Sequence, residues 1–157
     1  MPNRRGAREV PLGEMVKIHF DVDPPSGGIV GETMWGEKVA DRRYRLRNVP
    51  AHVLGVSEND IVFADYVRGL LRFAGMSLHA GHSTYRILKA RELDPAVFSR
   101  HWEPLKRLGC SYEGDGAALV AVDVPPQAEV RVVHELLLAG EKAGVWEFEE
   151  GHRGHEL

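Results

Sequence analysis

The sequence is poor in the features that announce a function. A single cysteine, Cys110, excludes any internal disulfide and fits a reducing compartment, so a cytoplasmic location is expected. No apolar run approaches the roughly 20 residues that a membrane-spanning helix needs. Arg4, Arg5 and Arg8 near the N-terminus are followed by no apolar core, which excludes a secretory signal there. No Gly-x-Ser-x-Gly elbow is present, so nothing supports a hydrolase of that kind. The net charge is only −3, which gives no general pull toward nucleic acid or anionic lipid. No internal repeat is evident.

What remains is the composition of an ordinary globular protein: 157 residues, 43% hydrophobic and 27% charged. Its charge is uneven. Residues 1–86 carry 12 Lys and Arg against 10 Asp and Glu, while residues 87–157 carry 8 against 13. The more basic half is therefore the first place to seek an anionic partner.

The first half alternates with the period of half-buried strands. Val16, Ile18 and Phe20 face one way, and Lys17, His19 and Asp21 the other. A loop dense in turn residues follows at Asp23-Pro24-Pro25-Ser26-Gly27-Gly28. Further strands are predicted at residues 32–39, 43–47, 61–64 and 70–78, the last two joined through Arg68-Gly69. Five short strands without helical period predict a small β-barrel or bent antiparallel sheet.

Beyond Gly81 the pattern changes. A strand at 84–90 leads to Asp94-Pro95, an N-cap acid followed by proline at the first helical position. Phe98, Trp102, Leu105 and Leu108 then recur at helical spacing, with Pro104 placed to kink or restart the helix and Gly109 to stop it. Two strands flank Gly114-Asp115-Gly116, a hairpin signal. Pro125-Pro126 opens a second helix ended by Gly144, and residues 145–149 form a last strand. Strand, helix, strand, strand, helix, strand is the ferredoxin-like order. The expected fold is thus α+β: a flexible leader at 1–14, a β-rich sub-domain at 15–80, a ferredoxin-like sub-domain at 81–150 and a polar tail at 151–157.

Four segments carry a resemblance. Glu32-Thr33-Met34-Trp35-Gly36-Glu37, Tyr44-Arg45-Leu46-Arg47-Asn48-Val49-Pro50, Gly55-Val56-Ser57-Glu58-Asn59-Asp60-Ile61-Val62 and Gly81-His82-Ser83-Thr84-Tyr85-Arg86 occur in that order. Over roughly residues 16–151 the chain resembles the small bacterial proteins grouped as domain of unknown function 4265. Ala51-His52 stands where that family tends to have an aromatic after Asn-x-Pro. The resemblance implies no particular activity, because fold analogy alone cannot choose among catalysis, binding and other roles.

Gly81-His82-Ser83-Thr84 falls where the two halves meet, a favoured place for pockets. His82 is a candidate acid or base, and Ser83 or Thr84 a candidate ligand group or nucleophile. The plainer alternative is that both hydroxyls satisfy backbone groups at a strand start. Arg42, Arg43, Arg45 and Arg47 place four arginines in six residues. On a strand, Arg43, Arg45 and Arg47 would line one face about 6.5–7 Å apart and suit an anion, with Asn48 and Arg86 nearby. Their alternative is a solvated face paired with Glu32, Glu37 or Asp41.

The pairs His79/His82 and His152/His155 could each share a metal only if they sit in turns, and no companion ligand lies at suitable spacing. Neither a metal nor a cofactor is therefore assigned. Trp35, Trp102 and Trp146 are assigned to packing, and Asp60 to the turn after Ser57-Glu58-Asn59.

The favoured function is a non-catalytic binding or regulatory module for a small anionic ligand or a protein partner. It would use the junction through Arg43, Arg45, Arg47, Asn48, His82, Ser83, Thr84 and Arg86. One alternative is a small acid–base enzyme with His82 as base and Ser83 or Thr84 beside it. Another is RNA binding through the arginine strand. Open sheet edges also allow a homodimer.

Overall fold

The computed structural model describes residues 9–22, 31–114 and 117–156. The chain forms an α+β fold whose first sheet closes into a barrel and whose second carries two helices. Strands β1 (Met15–Asp21), β2 (Gly31–Ala40), β3 (Arg43–Leu46), β4 (Ile61–Val67) and β5 (Leu70–Leu78) build the barrel. Neighbours run antiparallel except at closure, where β1 meets β5 in parallel at His19 and Arg72. The alternation in the sequence sets which residues point inward. Ile18, Phe20, Met34, Tyr44, Leu46, Val62, Ala64 and Leu71 are buried in one cluster, and Phe20 stacks on Phe73 at 4.8 Å. Arg68 and Gly69 both take positive φ, the turn whose twist suits a two-residue hairpin.

The second sheet is built from β6 (Ser83–Lys89), β7 (Ser111–Glu113), β8 (Leu119–Val124) and β9 (Trp146–His152). Their order is β7-β8-β6-β9, antiparallel throughout. Tyr85, Ile87, Val120, Val122 and Val124 pack with residues of α1 (Pro95–Arg107) and α2 (Val130–Lys142). Asp94 caps α1 by accepting from the Ala96 N–H at 2.9 Å. Pro104 does not restart the helix; α1 runs without interruption through it. Phe98, Trp102 and Leu105, all buried, anchor the helix on both sides of that position.

Three boundaries differ from expectation. Helix α2 begins at Val130, because a turn closed by Ala128 N–H to Pro125 C=O at 3.0 Å occupies the residues after Pro125-Pro126. The polar tail is largely structured: β9 runs to His152, and His155 is held as described below. Of the expected leader, residues 1–8 lie outside the described residues. Val10 is buried in the barrel core and Gly13 N–H donates to Lys38 C=O, so residues 9–14 are part of the fold. The turn residues 23–28 and the hairpin tip at 115–116 also lie outside the described residues.

The segment 47–60, between β3 and β4, joins the halves. It carries the buried residues Val49, Val53 and Val56. Glu32 on β2 shapes it by accepting the backbone N–H groups of Ala51, His52 and Val53 at 2.7–3.0 Å. From the segment, Val53 C=O and Ser57 reach Arg86 and Thr84 on β6.

Candidate functional site

The seam between barrel and second sheet gathers most of the polar residues singled out in the sequence, but in unequal states. Ser83 and Thr84 are fully buried. The His155 Nε2–H donates to Pro125 C=O at 2.9 Å, which leaves its Nδ1 to accept the Ser83 hydroxyl proton at 2.5 Å. Ser83 Oγ in turn accepts the N–H groups of Gly154 and His155. The Ser83 proton is thus committed to His155, so Ser83 is not placed as a nucleophile activated by His82. Thr84 Oγ1 lies 2.6 Å from Ser57 Oγ, which also bonds His152 Nδ1 at 2.8 Å. Ser83 thus satisfies backbone groups, as the plainer alternative has it, whereas Thr84 meets the Ser57 side chain.

Arg86 is also inside. Its guanidinium donates to Val53 C=O and to Glu149, both at 3.0 Å, while Nε has no partner among the described residues. It ties the second sheet to segment 47–60 rather than facing solvent.

His82 stands at the end of a polar chain. Arg47 donates to Asn59 Oδ1 at 2.9 Å, the Asn59 amide donates to His82 Nε2 at 3.3 Å, and His82 Nδ1–H donates to Asp123 at 2.8 Å. The bond to Asp123 holds the His82 pKa above its ordinary value against the opposing effect of burial, with the charges of Asp123, Glu58 and Asp60 adding. Glu58 beside them is pushed up by its own burial and by the carboxylates of Asp123 and Glu113. Sequence spacing missed Asp123, which lies 41 residues from His82 and is brought to it by the pairing of β6 with β8.

The arginines divide. Arg42 forms a two-bond pair with Asp65 at 2.6 and 2.7 Å, and Arg42 and Arg43 both lie over the Phe63 ring at 5.2–5.4 Å. Arg45 pairs with Glu37 in the β2–β3 register. Arg47 approaches Glu37 at 4.0 Å besides bonding Asn59. Of the carboxylates offered as partners, Glu37 takes part, whereas Glu32 caps backbone instead.

The residue that the sequence misplaced is Trp35. Trp102 and Trp146 are buried, at 7% and 2% exposure, whereas Trp35 is 43% exposed on the outer barrel wall. It faces a cleft of about 430 Å³ that crosses the seam. Lys17 and Thr33 line the barrel side with it, and Glu113, Leu119 and Ala121 line the sheet side. Lys17, opposite Trp35 in the β1–β2 register, sets its ammonium 5.3 Å from the indole centroid. Asn48 accepts the Trp35 N–H at 2.6 Å, and the Arg47 N–H donates to Trp35 C=O at 2.8 Å. An available signal was the one-residue alternation: Met34 faces the core, so Trp35 must face out.

Neither histidine pair acts as a pair. His79 leaves His82 to meet Asp60, 3.1 Å from its carboxylate, and to stack on His152 at 4.9 Å between centroids. Asp60 also accepts from Ser57 N–H at 2.9 Å and Ala80 N–H at 2.8 Å, so it does secure the turn as expected. Burial lowers the His152 pKa, with His79 adding to that effect and Asp60 opposing it. Cys110 is buried, and burial pushes its thiol up to about 12, far from reactivity.

Among the described residues no helix is long and apolar enough to cross a membrane. Among curated proteins, none matches the chain. A crystal structure of a protein from Neisseria gonorrhoeae, described as hypothetical, is similar with a TM-score of 0.76 and 17% identity. The match covers 91% of this chain and 98% of that one, and carries the fold alone. The family model "Domain of unknown function (DUF4265)" matches residues 32–148, which include the barrel wall at Trp35, segment 47–60 and strand β6. The chain belongs to the domain of unknown function 4265 family.

Proposed function

We propose that the protein is a non-catalytic binding module whose ligand is a small anion bearing a flat ring, or a protein segment of like chemistry, held in the cleft across the seam. The carrying observation is Trp35: a half-exposed indole beside the Lys17 ammonium, facing a cleft of about 430 Å³. An indole with a cation over one of its faces suits a ligand that carries both a ring and negative charge. The Glu32 carboxylate on the same wall is occupied by three backbone donors, so it repels such a ligand less than a free carboxylate would. Asn48 belongs to this reading; Ser83, Thr84 and Arg86 support it from behind, by holding the two halves together. The order of elements and strands in the second half supports a ferredoxin-like reading, and the single thiol supports a cytoplasmic one.

Tryptophan fluorescence tests this directly, because the other two indoles are buried. Titration with nucleoside 5′-monophosphates and aromatic carboxylates is expected to give saturable quenching, lost in Trp35→Leu and weakened by Lys17→Ala. Native mass spectrometry of untagged protein from its own host is expected to show a bound mass that Trp35→Leu loses. A bare chain together with an unresponsive indole overturns the reading.

An acid–base enzyme is the second reading, favoured by the bond of His82 to Asp123. It requires a turnover that follows a group titrating near neutrality and is lost in His82→Gln; a pH-independent rate sinks it.

A further inference from the structure

We propose that Asp60, His79 and His152 form a binding site for a divalent transition-metal ion of the Zn²⁺ class, at a different part of the seam from the Trp35 cleft. The three come from the loop before β4, the residue after β5 and the last residue of β9, so the site joins both halves of the molecule. Each offers one ligand atom, and these atoms lie within 4.8 Å of one another.

The groups behind these ligands favour coordination. With His152 Nδ1–H donating to Ser57 Oγ at 2.8 Å, the lone pair of His152 rests on Nε2. Ser57 then donates its own O–H to Thr84 Oγ1 at 2.6 Å, inside the core. A ring nitrogen fixed by a hydrogen bond on its other side is the usual condition of a metal-bound histidine. The Asp60 carboxylate is likewise oriented by the Ser57 and Ala80 N–H groups, and the residue is fully buried. His79, with a side chain 49% exposed, supplies the movable side.

The donor set selects the ion. Two imidazoles with one carboxylate suit Zn²⁺ and its neighbours, whereas Ca²⁺ and Mg²⁺ seek shells of oxygen. Ligand atoms bound tetrahedrally at about 2.0–2.2 Å stand about 3.3–3.6 Å apart, and these three atoms, already within 4.8 Å of one another, need only a small adjustment to reach that spacing. Three protein ligands with one side open to solvent leave the fourth position for water or a donor from a partner. The hydrogen bond between His79 and Asp60 is then what the ion replaces.

Equilibrium dialysis of the untagged full chain against Zn²⁺, after chelator treatment, is the test, with metal content measured per chain. One ion per chain is expected, with Co²⁺ in its place giving the intense visible absorption of a tetrahedral site. His79→Gln, at a half-exposed position that leaves the core intact, is expected to abolish retention. Ser57→Ala, which frees the His152 ring, is expected to weaken it about 10–100-fold. His134→Gln, a histidine on α2 outside the site, is expected to bind as the parent does. Circular dichroism checks that each variant is folded. No retained metal in the parent, or equal retention in His79→Gln, overturns the proposal.

Discussion

In the barrel half the outer strands β1 and β5 meet each other, whereas in the other half β7 and β9 remain at the edges. That difference decides where polar groups are free. Closure buries one face of each barrel strand in a core of its own, and the opposite face is left to solvent. Lys17, Thr33 and Trp35 stand there with room for a ligand. The open sheet has two faces to cover. Helices α1 and α2 cover one, and segment 47–60 reaches the other, so Thr84 and Arg86 point into protein and must find partners there. Thr84 and Arg86 on the sheet side of the seam hold the molecule together, whereas Lys17, Thr33 and Trp35 on the barrel side are exposed at the cleft.

Core truncations test the comparison most strongly. Leu46 in the barrel and Leu105 on α1 are both fully buried, and Leu46→Ala and Leu105→Ala are each expected to cost about 2–5 kcal/mol. If the seam makes one cooperative unit, calorimetry shows a single peak that both variants move. Two peaks, each moved by one variant, would break the comparison into independent halves.

A smaller effect is expected from Arg86→Met, which leaves Val53 C=O without its donor, at about 1–3 kcal/mol. Chemical denaturation measures the loss. Amide exchange in segment 47–60 should rise more than exchange in β1. Equal rises would show that Arg86 does not act through the seam.

The smallest effect is the pH dependence from His82. Its folded pKa is raised, so its contribution is complete below the unfolded value of about 6.5 and fades as pH rises through the higher folded one. Glu58, also raised, acts in the same direction but from the carboxylate range upward. The thermal unfolding temperature across pH 6–9 should therefore fall in the parent relative to Asp123→Asn, with His152, whose pKa burial lowers, acting the opposite way in both. Parallel curves would remove His82 from the ties across the seam.

Much of the fold was legible because it rests on local chemistry. Alternation placed the barrel strands, Arg68-Gly69 marked a hairpin, and Asp94-Pro95 started α1. The candidate site was legible only in part. His82, Ser83, Thr84 and Arg86 do lie at the junction, but their chemical state depends on Asp123, His155, Ser57 and Val53, residues 27 to 72 positions away. Gly140 is similar: it reads as one more small residue on the α2 face, yet the Trp146 ring occupies the space a Cβ would need.

The α+β class and most element positions follow from the sequence because hydrophobic period, caps and turn residues act over a few bonds, and four segments carry the resemblance to the family. The tertiary structure alone decided which polar groups are occupied and which are open. Pairing β6 with β8 and β9 brings Asp123 to His82, while the course of the chain after β9 brings His155 to Ser83. The same folding of the two halves leaves His79 against Asp60 and His152, and Trp35 beside an open cleft. No spacing rule along the chain encodes those meetings, since each depends on how two separately formed sheets pack against one loop.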